Sequence, residues 1–371
     1  MSIVASLARA LAWPRPSPRD HLGAPRGGSR PASAWLLSAV CLFMAPALPA
    51  HAGLFGFGGS SDGGASPRDG LTLATWNLEW LMTPRSRQEL GARCVSQQPT
   101  SHERALPCDR DKKAVPTRTS ADFEALARTA SQLRNTSRAD VVALQEVDGA
   151  EAARLVFTKG WKLDCFVQRA HPQKVGFAIR EGLPYRCNGD VSALDIDGST
   201  RSGADLTLYP GTPRETRLLS VHLKSGCFDG RLDRRFDPCS KLRRQVPLVE
   251  QWIDQRVREG VAFAVMGDFN RRLDKDARYP AGPDEAAPLN LVQAWSDNSP
   301  PGATLLRATD GQPYQACDAG DHHKAYIDDI LIDAKLAARN GNRRFVRLSF
   351  DPRDGDRQLS DHCPVVWALQ P

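Results

Sequence analysis

Apolar residues recur along this chain at two spacings. From Ala121 to Leu133 they fall at Phe123, Leu126, Ala127, Ala130 and Leu133, one face of a 3.6-residue period, so a helix is predicted there with Ser120 as N-cap. A second helix is predicted around Leu248, Val249, Trp252, Ile253 and Val257, with Pro247 near its first turn and Gly260 just past its end. Shorter apolar runs predict strands at Leu71–Trp76, Val141–Gln145, Val175–Ile179, Leu206–Tyr209, Leu218–Leu223, Val261–Met266, Tyr326–Ile332, Phe345–Phe350 and Pro364–Leu369. Strands outnumber helices and helices lie between some of them, which gives an α+β or mixed α/β class in one domain. Residues 83–119 lack periodicity and read as a long loop; residues 53–70, rich in Gly and Ser, read as a flexible lead-in.

Several of the apolar runs end on groups a core strand avoids. LATWNLEW carries Asn77 and Glu79, VVALQEVD ends at Gln145 and Glu146, and LLSVHLKSG places His222 and Lys224 at its edge. VMGDFN yields Asp268 and Asn270, YIDDILI has Asp328 and Asp329, and LSDHCPV sets Asp361 and His362 before the last strand. Each residue alone reads equally well as a turn former or a helix-entry acid. Together they imply a shared site, because burying unpaired charge is costly. Carboxylates, amides and imidazoles are what an oxygen-ligated hard cation and a proton-handling group require.

The start of the chain changes the picture of where it works. Arg26 and Arg30 precede the apolar run Trp35–Leu48, followed by Ala50-His51-Ala52, the arrangement of an export signal with cleavage expected after Ala52. At about 14 residues with Pro46 inside, the run is short of the roughly 20 needed to span a bilayer. Without residues 1–52, which hold five Arg and one Asp, the formal charge falls from +6 to +2. Net charge therefore says nothing about a polyanionic partner; only local clusters can. Eight cysteines remain, none spaced as CxxC, which favours disulfides in an oxidising compartment over zinc. Pairing sequence neighbours joins 94 with 108, 165 with 187 and 227 with 239, and leaves 317 with 363; sequence alone allows many other connectivities.

The strand-end motifs, in this order and near these intervals, resemble the endonuclease/exonuclease/phosphatase superfamily over about Leu71 to the C-terminus, GDFN and SDH with the two N-terminal motifs being specific as a set. The resemblance implies a four-layer α/β/β/α sandwich of two packed mixed sheets and metal-assisted cleavage of phosphate esters. It implies that Glu146 is the principal metal ligand, with Asn77 beside it, Asp361 close by and Glu79 where some members have Asp. The expected ion is Mg2+, with Mn2+ or Ca2+ as alternatives. It further implies that Asp268 and Asn270 position the attacking water and phosphate, that His362 is the essential histidine oriented by Asp328, and that His222 is a second histidine. In the deoxyribonuclease branch a Glu pairs with that second histidine; near its place this chain has Gln173.

The resulting expectation is an exported enzyme, periplasmic or extracellular and monomeric, with a catalytic domain over 71–371 and no spanning segment or stable protein partner. Nucleic acid is the favoured substrate, ahead of a sphingomyelinase-type phospholipid and a soluble phosphate ester. The basic residues Arg231, Arg234, Arg235, Lys241, Arg243 and Arg244, and Arg271 with Arg272, are candidates for backbone contacts, a surface salt bridge being the alternative at 271–272. Asp318, Asp321, His322 and His323 read as a solvated loop, and Trp76 and Trp80 as core.

Overall fold

A computed structural model describes residues 70–96, 118–233, 237–276, 291–317, 324–355, 357 and 359–369. The leader, nearly all of the 53–70 lead-in, Cys108, Arg234, Arg235 and residues 318–323 lie outside them. In chain order the elements are β1 (Leu73–Leu81), α1 (Pro84–Ser96), α2 (Ser120–Asn135), β2 (Val141–Val147), α3 (Ala150–Ala153), β3 (Trp161–Asp164), β4 (Lys174–Arg180), β5 (Tyr185–Val191), β6 (Gly203–Leu208), β7 (Thr216–His222), α4 (Asp237–Glu259), β8 (Ala262–Asp268), α5 (Leu273–Asp276), α6 (Leu291–Trp295), β9 (Leu305–Arg307), β10 (Asp328–Asp333), α7 (Ala334–Asn340), β11 (Arg343–Arg347) and β12 (Val365–Leu369).

The strands form two mixed sheets of six, ordered β11-β12-β1-β2-β4-β3 and β5-β6-β7-β8-β10-β9. At the centre of each lies a parallel pair, β1 with β2 and β7 with β8, flanked by antiparallel neighbours. Alternate residues of the central strands face opposite ways, and both directions are buried. Leu73, Val141, Phe177, Leu206, Leu218, Ala264, Met266 and Ile330 meet between the sheets. Trp76, Val142 and Leu144 pack outward with Leu126, Ala130 and Leu133 of α2, and Leu219, Val221, Phe263 and Val265 with Leu242, Val249 and Ile253 of α4. Burial on both faces explains why the strands read as continuous apolar runs and why their polar ends stood out. The architecture is the four-layer sandwich that the resemblance implied.

Several expectations are corrected. Residues 84–96, read as loop, form α1, which starts at Pro84, caps on the Thr83 hydroxyl and buries Leu90, too little apolar surface to leave a periodic signal. The N-cap of α2 is Thr119, in a capping box with Asp122, one residue before Ser120. Pro247 lies inside α4, which begins ten residues earlier at Asp237 with Pro238 in the first turn. The edge strands β3, β5 and β9 went unpredicted; β5 is mostly exposed and so lacks an apolar pattern. Disulfides join Cys165–Cys187 and Cys227–Cys239, two of the neighbour pairings, and Cys317–Cys363, the pair left over; the partner expected for Cys94 lies outside the described residues. Among the described residues no helix is long and apolar enough to cross a membrane.

Among the described glycines, Gly267 makes the closest approach to a neighbour. Its φ is 149°, and a Cβ there would sit 2.0 Å from the Val221 carbonyl oxygen of β7. Gly267→Ala is therefore expected to part β7 from β8 just before Asp268 and to destabilise the fold by about 3 kcal/mol. Chemical denaturation checks this, and an unchanged midpoint would exclude the close approach.

Candidate active site

The C-terminal ends of β1, β2, β7 and β8 lie at one end of the sandwich, where β10 and β12 begin. The antiparallel register sets Asp328 opposite Asp268, and the parallel register sets His222 beside it. Between Asn77 and Leu81 the β1–β2 pairing slips, so that β1 bulges around Glu79 and Trp80. Glu79, Trp80, Glu146 and Asn270 all have φ between 41° and 57°, backbone strain gathered at one place.

Asp268 is the hub. Its Oδ2 accepts from Asn77 Nδ2 at 3.0 Å and Asn270 Nδ2 at 3.2 Å, and lies 3.4 Å from His222 Nε2 and 4.0 Å from His362 Nε2. Its Oδ1 accepts from the Asn270 backbone at 2.7 Å. His362 Nδ1 is 2.7 Å from Asp328 Oδ2, and the oxygens of Asp268 and Asp328 with the His362 ring lie within 4.8 Å of one another. Burial opposes a charge on His362, but Asp328 outweighs it and holds the imidazole well above its ordinary range. Burial, with Asp328 and Glu146 adding and His362 opposing, pushes the Asp268 carboxyl up to about 7.

A second cluster adjoins the first. Asn77 Nδ2 donates to Glu146 Oε1 at 3.3 Å, the Trp80 N–H donates to Glu146 Oε2, and the Asp361 N–H donates to Glu79 Oε2 at 3.0 Å. Burial and then the nearby Asp361 push Glu79 up to about 7. Carboxylates crowded in this way form an oxygen-rich set that suits a hard divalent cation. Asn77 turns its oxygen to the Glu79 N–H and gives the cluster its amide hydrogens, so in this arrangement it bridges carboxylates.

All of the site residues expected from the sequence thus stand around one centre. Two arginines there were missed. Arg118 donates to the carbonyls of Leu78, Glu79, Trp80 and Leu359, clamping the β1 bulge to the loop that carries Asp361 and His362. Trp76 Nε1 to the His362 carbonyl and Ser360 Oγ to the Asn77 carbonyl reinforce that join. Arg201 Nη2 lies 2.9 Å from His222 Nε2 and donates to Gln173 Oε1 at 3.4 Å. The second histidine therefore meets a guanidinium, with Gln173 behind it; burial and then Arg201 hold His222 well below the usual imidazole range. Neither arginine lies in an apolar run, so only their position before α2 and before β6 could have signalled them.

The expected basic contacts fare differently. Arg271 is fully buried, bound to Asp276 and to the carbonyls of Cys227 and Gly230, and is unavailable to a substrate. Arg272 pairs with Asp229, Arg231 with Asp233 and Arg244 with Asp197. Trp76 is core, whereas Trp80 is half-buried with its ring 5.6 Å from that of His171.

Residues 74–362 match the model of a family described as Endonuclease/Exonuclease/phosphatase. No curated protein matches the sequence. Among solved structures, TDP2 from C. elegans is similar with a TM-score of 0.48 and 14% identity, over 80% of this chain and 75% of that one. The mannosyl-6-phosphatase Bt3783 of Bacteroides thetaiotaomicron has a TM-score of 0.46 and 14% identity, over 81% of this chain and 100% of its own. An AP endonuclease from Archaeoglobus fulgidus has a TM-score of 0.47 and 14% identity, over 81% and 100%.

The raised carboxyls fix the sign of a pH effect. A group whose folded-state pKa is raised contributes stability that is full below its unfolded value and lost as pH rises through the folded one. Glu79 and Asp268, both near 7, are neutral in mild acid and charged above it. A divalent cation among them is therefore expected to raise Tm more at about pH 8 than at about pH 5, where the loss it offsets is absent. Scanning calorimetry with Mn2+ against chelator measures this; equal shifts at both pH values would place the cation elsewhere.

Proposed function

The chain belongs to the endonuclease/exonuclease/phosphatase family, and from that premise we propose that it is a metal-dependent phosphodiesterase that cleaves nucleic acid outside the cytoplasm. One observation carries the reading. A buried Asp268 receives two amides and faces two histidines, one of them held by Asp328, beside a crowd of carboxylates.

In this reading Glu146, Glu79 and Asp361 hold a divalent cation, Mg2+ first, and Asn77 fixes the spacing between Glu146 and Asp268. When bound, the ion neutralises charge on the phosphoryl oxygens and lowers the barrier to attack. Asp268 orients a water, and Asn270, whose Nδ2 also donates to the Leu223 carbonyl, fixes the Asp268 carboxylate. His362 gives its Nδ1 proton to the hydrogen bond with Asp328, leaving Nε2–H as the donor to a phosphoryl oxygen. Such a donor stabilises negative charge as it develops. His222, kept neutral, accepts the Arg201 hydrogen at Nε2 and has no proton there to give.

Export is supported by the leader pattern and by three disulfides. A polyanionic substrate is supported by the Arg201 guanidinium beside His222. For a lipid substrate the described surface offers little, its exposed large hydrophobics being Phe228 and Leu306, from separate loops and strands.

His362→Ala and Asp268→Ala are expected to lower kcat by about 10²–10⁴-fold each with the circular-dichroism spectrum unchanged. Glu146→Gln is expected mainly to raise the metal concentration for half-maximal activity. The mature chain, incubated with plasmid DNA, RNA, sphingomyelin and a hexose 6-phosphate in Mg2+ and in chelator, should act on nucleic acid in Mg2+ alone. Hydrolysis of sphingomyelin or hexose phosphate without any nicking of DNA or RNA would reverse the substrate order, and wild-type rates in either alanine variant would remove the site assignment.

A further inference from the structure

Of the three disulfides among the described residues, two are sealed and one is not. Cys227 and Cys239 are 2% exposed, Cys317 3% and Cys363 0%, whereas Cys187 is exposed and Cys165 half-buried. Both of the latter line a cleft of about 480 Å³ with Leu163, Phe166, Lys174 and Asp190. A cleft of that size admits a small reagent. Its charge is negative, because Asp164 and Asp190 are exposed on its wall and the Lys174 ammonium is taken by Asp148 at 2.8 Å. A neutral reagent therefore fits it better than an anionic one.

The accessible bond holds one end of a strap that reaches the candidate active site. Cys165 directly follows β3, the edge strand of the first sheet, and Cys187 lies in β5, the edge strand of the second, so the bond staples edge to edge. Residues 165–173 run from there to β4. On the first sheet the Val167 N–H donates to the Val175 carbonyl at 3.0 Å and the Phe166 ring covers Gly176. On the second, the Gln168 N–H donates to Asp190 Oδ2 and Arg169 Nη1 to the Thr200 carbonyl, each at 2.8 Å. Farther along, the His171 ring meets Trp80, and Gln173 Oε1 accepts from Arg201 beside His222. Single hydrogen bonds contribute modestly in the presence of water. The covalent bond is thus the strongest tie from this strap to the second sheet.

We propose that Cys165–Cys187 is a thiol-exchange site, opened by a small neutral dithiol, and that opening it loosens the strap up to the rim of the candidate active site. One thiolate of the dithiol attacks Sγ of Cys187, the more exposed partner; a mixed disulfide forms, the Cys165–Cys187 bond breaks, and Cys165 leaves as a thiolate that takes a proton from water. The second thiol of the reagent then gives up its proton and attacks the reagent sulfur of the mixed disulfide, releasing Cys187, which is protonated in turn. The dithiol ends as a cyclic disulfide and the protein pair as two thiols, so two electrons and two protons have passed to the chain. Strand β4 stays paired with β2 and β3, which confines the loosening to the strap. The buried Cys317–Cys363 bond stays closed.

The test is graded reduction of the mature chain with dithiothreitol, followed by alkylation and peptide mapping, which needs neither metal nor substrate. Cys165 and Cys187 are expected to be alkylated about tenfold faster, or more, than Cys227, Cys239, Cys317 and Cys363. In the selectively reduced protein, hydrogen–deuterium exchange is expected to quicken by about tenfold or more at the amides of 166–174 and to stay unchanged in α4 and β8. The double variant Cys165→Ser, Cys187→Ser should show the same quickening without reductant and no further change when the same dose is added. Circular dichroism establishes that it is folded, and the selectively reduced parent carries the test if it is not. Alkylation of all three pairs at one rate, or exchange at 166–174 unchanged in the reduced parent, would overturn the proposal. Failure of the chain to hydrolyse any ester in Mg2+ would instead remove the functional reading and leave this result standing.

Discussion

The site depends on one carboxamide that spans the two sheets. Asn77 leaves β1 of the first sheet, gives one amide group to both Glu146 of β2 and Asp268 of β8, and takes the Glu79 N–H on its oxygen. A deeper polar link runs parallel to it, from Thr75 through Gln145 to Ser220. Apolar contacts between sheets are non-directional and tolerate sliding, whereas these hydrogen bonds fix one register. The spacing between the carboxylate cluster and the histidine cluster is therefore set inside the sandwich, on rigid strands, and the loops need only complete it.

The strain at the site follows from the same constraint. Strands buried on both faces can carry a polar group along their length only where it meets a buried partner, as Thr75, Gln145 and Ser220 do, so groups that must face a substrate are confined to their ends. There the chain must also turn its side chains back toward the centre. Positive φ at Glu79, Trp80, Glu146 and Asn270 is how the backbone does so, and Arg118, with its hydrogens on successive carbonyls of the bulge, holds the distorted segment in place. The guanidinium takes up carbonyls that the slipped β1–β2 pairing leaves without strand partners.

What was legible in the sequence was whatever interrupts a pattern. Asp268, Asn270, Asp328, Glu146 and His362 showed because apolar runs stopped at them, and the order of those interruptions carried the fold with it. Residues whose meaning depends on a partner far along the chain did not show. Arg271 read as a surface base because nothing local reveals that Asp276 and the Cys227 and Gly230 carbonyls enclose it. Arg118 and Arg201 lie in segments without periodicity. Helix α1 and strand β5 bury little, so neither the 3.6-residue nor the two-residue rhythm marked them. Pro247 misplaced a helix start because proline marks first turns only on average, and here Pro238 fills that position.

The Cys317–Cys363 bond has a bearing on when the site comes into being. Cys363 directly follows His362 in the chain, and its partner closes a loop 46 residues long that includes β10 and Asp328. Both members of the histidine–aspartate pair thus lie within a single covalent ring. Once sealed, that ring limits how far the two can drift apart even when the surrounding strands open. Maturation of the histidine–aspartate pair is in this sense a post-translational event: the newly made chain holds the parts, and oxidation makes their meeting hard to undo.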